Sequence, residues 1–208
     1  MHKPTRFIAL EGIDGSGTTT QLALLAAHLR AQGHRVTQTA EPSSGPIGQR
    51  CREALSTQPP LDDGVLALLF AADRLDHVAR CIKPALSAGG VVLCDRYLMS
   101  SLAYQGLSLP QPWLCAINER SLRPDATVLL EVPVDVAQQR VAARGGTVEQ
   151  FDALELQRRI SLRYKALAEA PPPLMGPIFC LDGAAPQAEV AQRVAQLVDG
   201  LLALGAAP

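Results

Sequence analysis

The run Gly12-Ile13-Asp14-Gly15-Ser16-Gly17-Thr18-Thr19 holds the residue types and spacing most suited to chemistry. It matches the pattern G-x-x-x-x-G-K-[ST] at every defined position except one, where Thr18 stands in place of lysine. A loop of this kind curls successive backbone N–H groups around phosphate oxygens, at the start of a helix whose dipole favours an anion. Gly12, Gly15, Ser16, Gly17 and Thr18 are therefore candidate phosphate-binding positions, and the Thr19 hydroxyl is a candidate Mg²⁺ ligand. An ordinary glycine-rich strand-to-helix turn is the competing reading. Thr18 cannot add positive charge to a transferred phosphoryl group. A single cation in that role is worth roughly 10³–10⁵ in rate where it is an arginine finger. Binding depends on the backbone amides, and those remain. Three explanations stay open: an engineered substitution, a natural enzyme that uses arginine elsewhere, and a homologue that binds without catalysing.

A second cluster is Asp95-Arg96-Tyr97, followed by Ser100-Ser101-Leu102-Ala103-Tyr104-Gln105. Asp95 ends an unbroken apolar run, so its carboxylate would emerge at the C-terminal edge of a sheet, where α/β folds bind ligands. There it could hold the water shell of Mg²⁺, while Arg96 grips a phosphate bidentately. A strand-end aspartate in a structural ion pair is the alternative. The third cluster is Leu68-Leu69-Phe70-Ala71-Ala72-Asp73-Arg74. Four residues apart on a helix, Phe70 and Arg74 share a face, so one could stack on a flat base while the other bonds its edge. A core phenylalanine beside a solvated arginine is the alternative here.

These residues need a scaffold, and apolar blocks of two kinds alternate to supply one. Phe7 to Leu10, Val36 to Thr39, Val91 to Cys94, Ala126 to Leu130 and Ile178 to Leu181 read as short strands. Helices are expected after the glycine loop up to Gly33, then over Ile47 to Leu55, and over Asp63 to Ser87 with a break near Pro84. Further helices are expected over Ser100 to Leu107, Trp113 to Leu122, Val134 to Ala143, Asp152 to Ala168 and Gln187 to Leu202. Strands alternating with helices imply a parallel sheet covered on both sides. The 208 residues are 48% hydrophobic and 19% charged, which suits one domain with a real core and excludes disorder. A net charge of −1 argues against a nucleic-acid coat. Val65 to Ala72, the longest apolar run, is too short to span a bilayer. Five scattered cysteines without CxxC spacing read as free thiols, and no signal peptide is evident, so a cytoplasmic protein is expected.

The segments EGIDGSGTTTQ, EPSSGPIGQRCREAL, LLFAADRLDHV, VVLCDRYLMSSLAYQG and RPDATVLLEVP occur in the order and approximate spacing of the thymidylate kinase family. The chain resembles that family from about Phe7 to Ala168. The resemblance implies a three-layer P-loop kinase fold that moves the γ-phosphoryl of ATP to dTMP with Mg²⁺, in a protein that is typically a homodimer. It implies that Phe70 stacks on thymine, that Arg74, Ser101 and Gln105 lie at the base, and that Tyr104 crowds the sugar 2′ position. Arg52 and Arg96 would hold the monophosphate, with Asp14 and Glu41 on the acceptor side. Asp14, Asp95, Arg96 and Arg144 would be the catalytic set, Thr19 and Asp95 the metal side, and Arg140 a nucleotide contact.

The departures cluster on the ATP side. Besides Thr18, Ala40 stands where an arginine commonly precedes Glu-Pro. Glu149 and Gln150 replace a common arginine–acid pair in the lid, about residues 142–152, although Arg144 is kept. The Asp14-Gly15-Ser16 stretch also lacks the loop arginine of one branch of the family. Arg140 and Arg144 are the expected sources of replacement charge. The expectation is thus a single domain over 1–208 that phosphorylates dTMP, slowed by the missing lysine, with no membrane or nucleic-acid partner. The alternatives are a non-catalytic nucleotide-binding homologue and a kinase for another nucleoside or nucleotide.

Overall fold

The computed structural model describes residues 5–143, 145 and 151–204, the side chains of 151–153 excepted. Five strands, β1 (Arg6–Glu11), β2 (Val36–Ala40), β3 (Val91–Asp95), β4 (Ala126–Glu131) and β5 (Ile178–Asp182), form one parallel sheet in the order β2-β3-β1-β4-β5. Helices α1 (Thr18–Ala31), α2 (Pro46–Ser56), α3 (Asp63–His77), α4 (Lys83–Ser87), α5 (Leu98–Tyr104), α6 (Gln111–Ile117), α7 (Val134–Ala143), α8 (Phe151–Glu169) and α9 (Gln187–Leu204) surround it.

Alternation along the central strands builds the three layers, because successive side chains of a strand point to opposite faces. Ile8, Leu10, Val91, Leu93, Val128 and Leu130 pack with Leu22, Leu25 and Leu29 of α1 and Val190, Val194 and Val198 of α9. Phe7, Ala9, Val92, Cys94 and Leu129 face the other way, against α5 and Ile160, Tyr164 and Leu167 of α8. The central strands are buried on both faces, as their unbroken apolar runs require. The α/β class read from the sequence is the one observed. Among the described residues, no helix is long and apolar enough to cross a membrane.

Two elements differ from expectation. The helix over 63–87 does not break near Pro84; five residues, Val78–Ile82, widen into a π-turn and α4 continues. Proline lacks an N–H and its ring crowds the carbonyl four residues back, and a wider turn relieves both without ending the helix. Helix α6 starts at Gln111 and stops at Ile117 instead of running to Leu122, with Pro110 before its first turn.

The parallel arrangement sets every strand's C-terminus at one edge. Leu10 lies opposite Asp95 and Ala40 also lies opposite Asp95 in register, so the loops after β1, β2 and β3 converge there.

Candidate functional site

The loop after β1 is shaped by its glycines. Gly15 has φ +83, and a Cβ there would sit 2.2 Å from the Ala137 carbonyl oxygen of α7. Gly17, at φ 97, turns the chain into α1. That helix begins without a side-chain cap and with no acidic residue in its first turn, which leaves its N-terminal amides open to an anion. Thr18, the first residue of α1, is buried. Arg140 of α7 donates to the carbonyls of Ser16 (3.4 Å), Gly183 (2.8 Å) and Ala184 (3.3 Å), tying the loop to the turn after β5. Ser16, Gly17, Gln21, Arg140, Gly183 and Gln187 are among the residues around a cavity of about 270 Å³ at this mouth.

Thr19, in the first turn of α1, hydrogen-bonds Asp95 Oδ2 at the end of β3. Asp95 Oδ1 is buried and has no hydrogen-bond partner. Two oxygen ligands side by side, one with an orphaned lone pair, fit a hard cation that takes oxygen donors and completes its shell with water and phosphate. No larger cluster of metal-ligating side chains occurs among the described residues.

Beyond Asp14 lies a second cavity of about 310 Å³, lined by Asp14, Glu41, Phe70, Arg74, Arg96, Tyr97, Ser100, Ser101, Tyr104 and Gln105 among others. Of the expected acceptor residues, only Arg52 does not line it. Arg52 stands on the exposed face of α2 and donates to the carbonyl of Pro42, which does line it (2.8 Å). Gln105 presents a buried Oε1 with no partner, an acceptor awaiting a donor.

Arg96 ties the glycine loop to the second cavity. Its backbone is left-handed (φ 64), the one such non-glycine residue described. Its guanidinium reaches Asp14 Oδ1 (2.5 Å), the Gly12 carbonyl (3.0 Å), Ser100 Oγ (3.3 Å) and the hydroxyls of Tyr104 and Tyr164 (3.4 Å each). It also lies 5.5 Å from the Tyr104 ring centroid. Burial pushes the Tyr104 phenol up to about 12, so it stays neutral and packs as a wall.

Arg74 is not a solvated arginine. It is 1% exposed, and its Nε and NH2 lie 2.9 Å from Glu41 Oε2. NH1 reaches Asn118 Oδ1 (2.5 Å), and NH2 reaches Ser101 Oγ (2.8 Å) and the Tyr97 carbonyl (3.2 Å). A buried charge is tolerable only when paired and hydrogen-bonded in this way.

Glu11, Tyr164, Asn118 and His77 support the site and were not singled out in the sequence. Glu11 is fully buried at the end of β1. It accepts from Tyr97 N (2.8 Å), Ser100 N (3.3 Å), Ser100 Oγ (2.6 Å) and Tyr164 Oη (3.2 Å). Burial raises its pKa above the usual carboxylate range, against the opposing pull of Ser100, Arg96 and Tyr97. Its place just before Gly12 is the one sequence signal that could have found it. Arg144 and 146–150, most of the expected lid, lie outside the described residues. A third cavity, about 350 Å³, includes Ile13, Glu131, Pro133 and Lys165 in its lining but none of the expected site residues.

A family model described as thymidylate kinase matches residues 10–193. A probable thymidylate kinase of Pyrococcus abyssi is 48% identical over 171 residues, covering 78% of this chain and 82% of the relative. The thymidylate kinase of Thermomicrobium roseum is 44% identical over 173 residues, covering 80% and 82%. A probable thymidylate kinase of Pyrobaculum aerophilum is 39% identical over 194 residues, covering 92% and 95%.

Proposed function

The chain belongs to the thymidylate kinase family, and from that premise we propose that it transfers the γ-phosphoryl of ATP to dTMP, giving dTDP and ADP. The observation that carries this reading is the junction at Arg96 and Asp14. A phosphate-shaped loop and a base-sized cavity meet there, so a donor and an acceptor phosphate can face each other across one guanidinium. Phosphoryl transfer needs positioning and charge more than a strong base, and this chain supplies fixed dipoles and one well-anchored cation.

In this reading the loop amides between Gly12 and Thr19, apart from that of Ser16, which donates to the Ile13 carbonyl (3.0 Å), take the ATP phosphates, and Arg140 stands beside the nucleotide. Thr19 and Asp95 would hold Mg²⁺, which supplies positive charge to the phosphates when bound. Phe70 offers a face to the base, and Arg74, Ser101 and Gln105 line its edge. Tyr104 stands at the sugar, Arg96 holds the acceptor phosphate, Arg52 lies at the rim, and Asp14 and Glu41 orient the two arginines. One domain over 1–208, with a lid near 142–152 that brings Arg144 in, is part of the same proposal.

Exposed Leu61, Val65, Leu68 and Leu75 form a stripe on and just before α3, with spacings of four, three and seven residues. An exposed apolar stripe can bury itself against its own copy about a two-fold axis, which supports a homodimer built on α3. All five cysteines are free, which supports a reducing compartment and hence the cytoplasm.

Release of ADP on mixing the protein with dTMP, ATP and Mg²⁺ tests the reading; no turnover from a folded sample defeats it. Thr18 favours one other reading, a homologue that binds both nucleotides but does not catalyse. Calorimetric binding beside a dead assay, even in Thr18→Lys, would establish that one instead.

A further inference from the structure

We propose that His77 is a positioning residue for the base end of the acceptor cavity. In this view its imidazole fixes the carboxylate of Glu41, which in turn holds Arg74 against the cavity wall. The inference rests on the acceptor reading above. His77 sits three residues after Arg74 at the end of α3 and is 3% exposed. Its Nδ1 lies 3.1 Å from Glu41 Oε1, and its Nε2 lies 2.6 Å from Thr39 Oγ1 of β2. Glu41 Oε2 faces the Arg74 guanidinium. The carboxylate is thus divided, one oxygen to the imidazole and the other to the guanidinium.

An ionised carboxylate can only accept, so Nδ1 carries a proton, while Thr39 Oγ1, which can donate or accept, partners Nε2. Removing the Nδ1 donor strands Oε1 in a buried site, where an unpaired acceptor is costly, and frees the carboxylate to rotate about Arg74. His77 itself does not line the cavity, whereas Glu41 and Arg74 do. Of its two side-chain hydrogen-bond partners, Glu41 lines the cavity and Thr39 does not, so the route from His77 to base binding runs through Glu41.

Two isosteres separate the nitrogens. Asparagine places an N–H where Nδ1 stands, and glutamine places its amide where Nε2 stands. Calorimetry with dTMP should give His77→Asn a Kd within about threefold of the parent, while His77→Gln and His77→Leu weaken binding about tenfold or more. ATP affinity should stay within about twofold in all three. A purely structural histidine would lower thermal stability in every variant and give asparagine no advantage, so His77→Asn binding no better than His77→Leu overturns the proposal. A parent chain that binds no dTMP refutes the acceptor reading instead, and the tautomer is then decided separately. Nitrogen-15 spectra of histidine-labelled parent protein need no variant to fold: a His77 imidazole protonated at Nδ1 is expected, and one protonated only at Nε2 overturns the proposal.

Discussion

Replacing Thr18 by lysine should raise kcat and leave dTMP affinity nearly unchanged. Thr18 opens α1 directly after the left-handed Gly17, on a helix start with no side-chain cap. A lysine there would lean its ammonium over the phosphates held by the same amides. At about 4 Å and an effective dielectric constant near 20, a unit pair is worth about 4 kcal/mol. Only the charge that shifts between ground and transition state counts toward rate, and about half a unit gives about 2 kcal/mol, or roughly 30-fold in kcat. The acceptor cavity is not lined by Thr18, so the Kd for dTMP should stay within about twofold. A coupled ADP-release assay supplies the rate and calorimetry the affinity, each on samples with matching circular dichroism. An unchanged kcat would refute the reasoning, because it would mean that another group already supplies the charge.

Arg74→Met leaves Glu41 buried without its guanidinium and should cost about 3–5 kcal/mol in urea unfolding; a loss below about 1 kcal/mol would mean the pair is not structural. Glu11 has a folded-state pKa raised above 4.5, so the native protein keeps that proton longer than the unfolded chain. Stability should therefore fall as pH rises from 4.5 toward the raised value and then level off, and Glu11→Gln should remove that part of the slope in unfolding curves taken across the window. Leu68→Glu places a charge in the middle of the exposed α3 stripe and should convert a dimer to a monomer in light scattering, whereas an unchanged mass would move the interface elsewhere.

What the sequence disclosed was local. Each glycine-loop residue lies within a few positions of the strand and helix that shape it, and Phe70 and Arg74 share a cavity because four residues make slightly more than one helical turn. The apolar runs of the central strands also announced two covered faces, since no polar alternation interrupts them. What stayed hidden depends on partners far apart in the chain. A solvated Arg74 stands as the alternative in the sequence because nothing near it in the chain shows that Glu41, Asn118 and Ser101 close around it. Tyr164 reaches Glu11 across 153 positions, and no helical or strand period reports such a contact. The π-turn before Pro84 was hidden for another reason: a proline can end a helix or widen it, and packing of the buried Val78 and Ile82 decides which.

The same distinction bears on the missing lysine. Sixteen of the nineteen basic residues are arginines, yet charge in the chain is not charge at the phosphates. Arg140 is tied to three carbonyls between the loop and the turn after β5. Arg96 is tied more firmly still, because its left-handed backbone costs on the order of 1–3 kcal/mol and persists only where its surroundings over-determine it. Glu11 supplies that constraint by accepting from the amides of Tyr97 and Ser100, on the same turn, while Asp14 and Gly12 hold the guanidinium. Moving Arg96 toward the position of the absent ammonium would break this set together and withdraw a cation from the acceptor side. In the proposed reaction each anchored arginine would therefore stay with its own phosphate, and an added lysine should gain rate without competing with either.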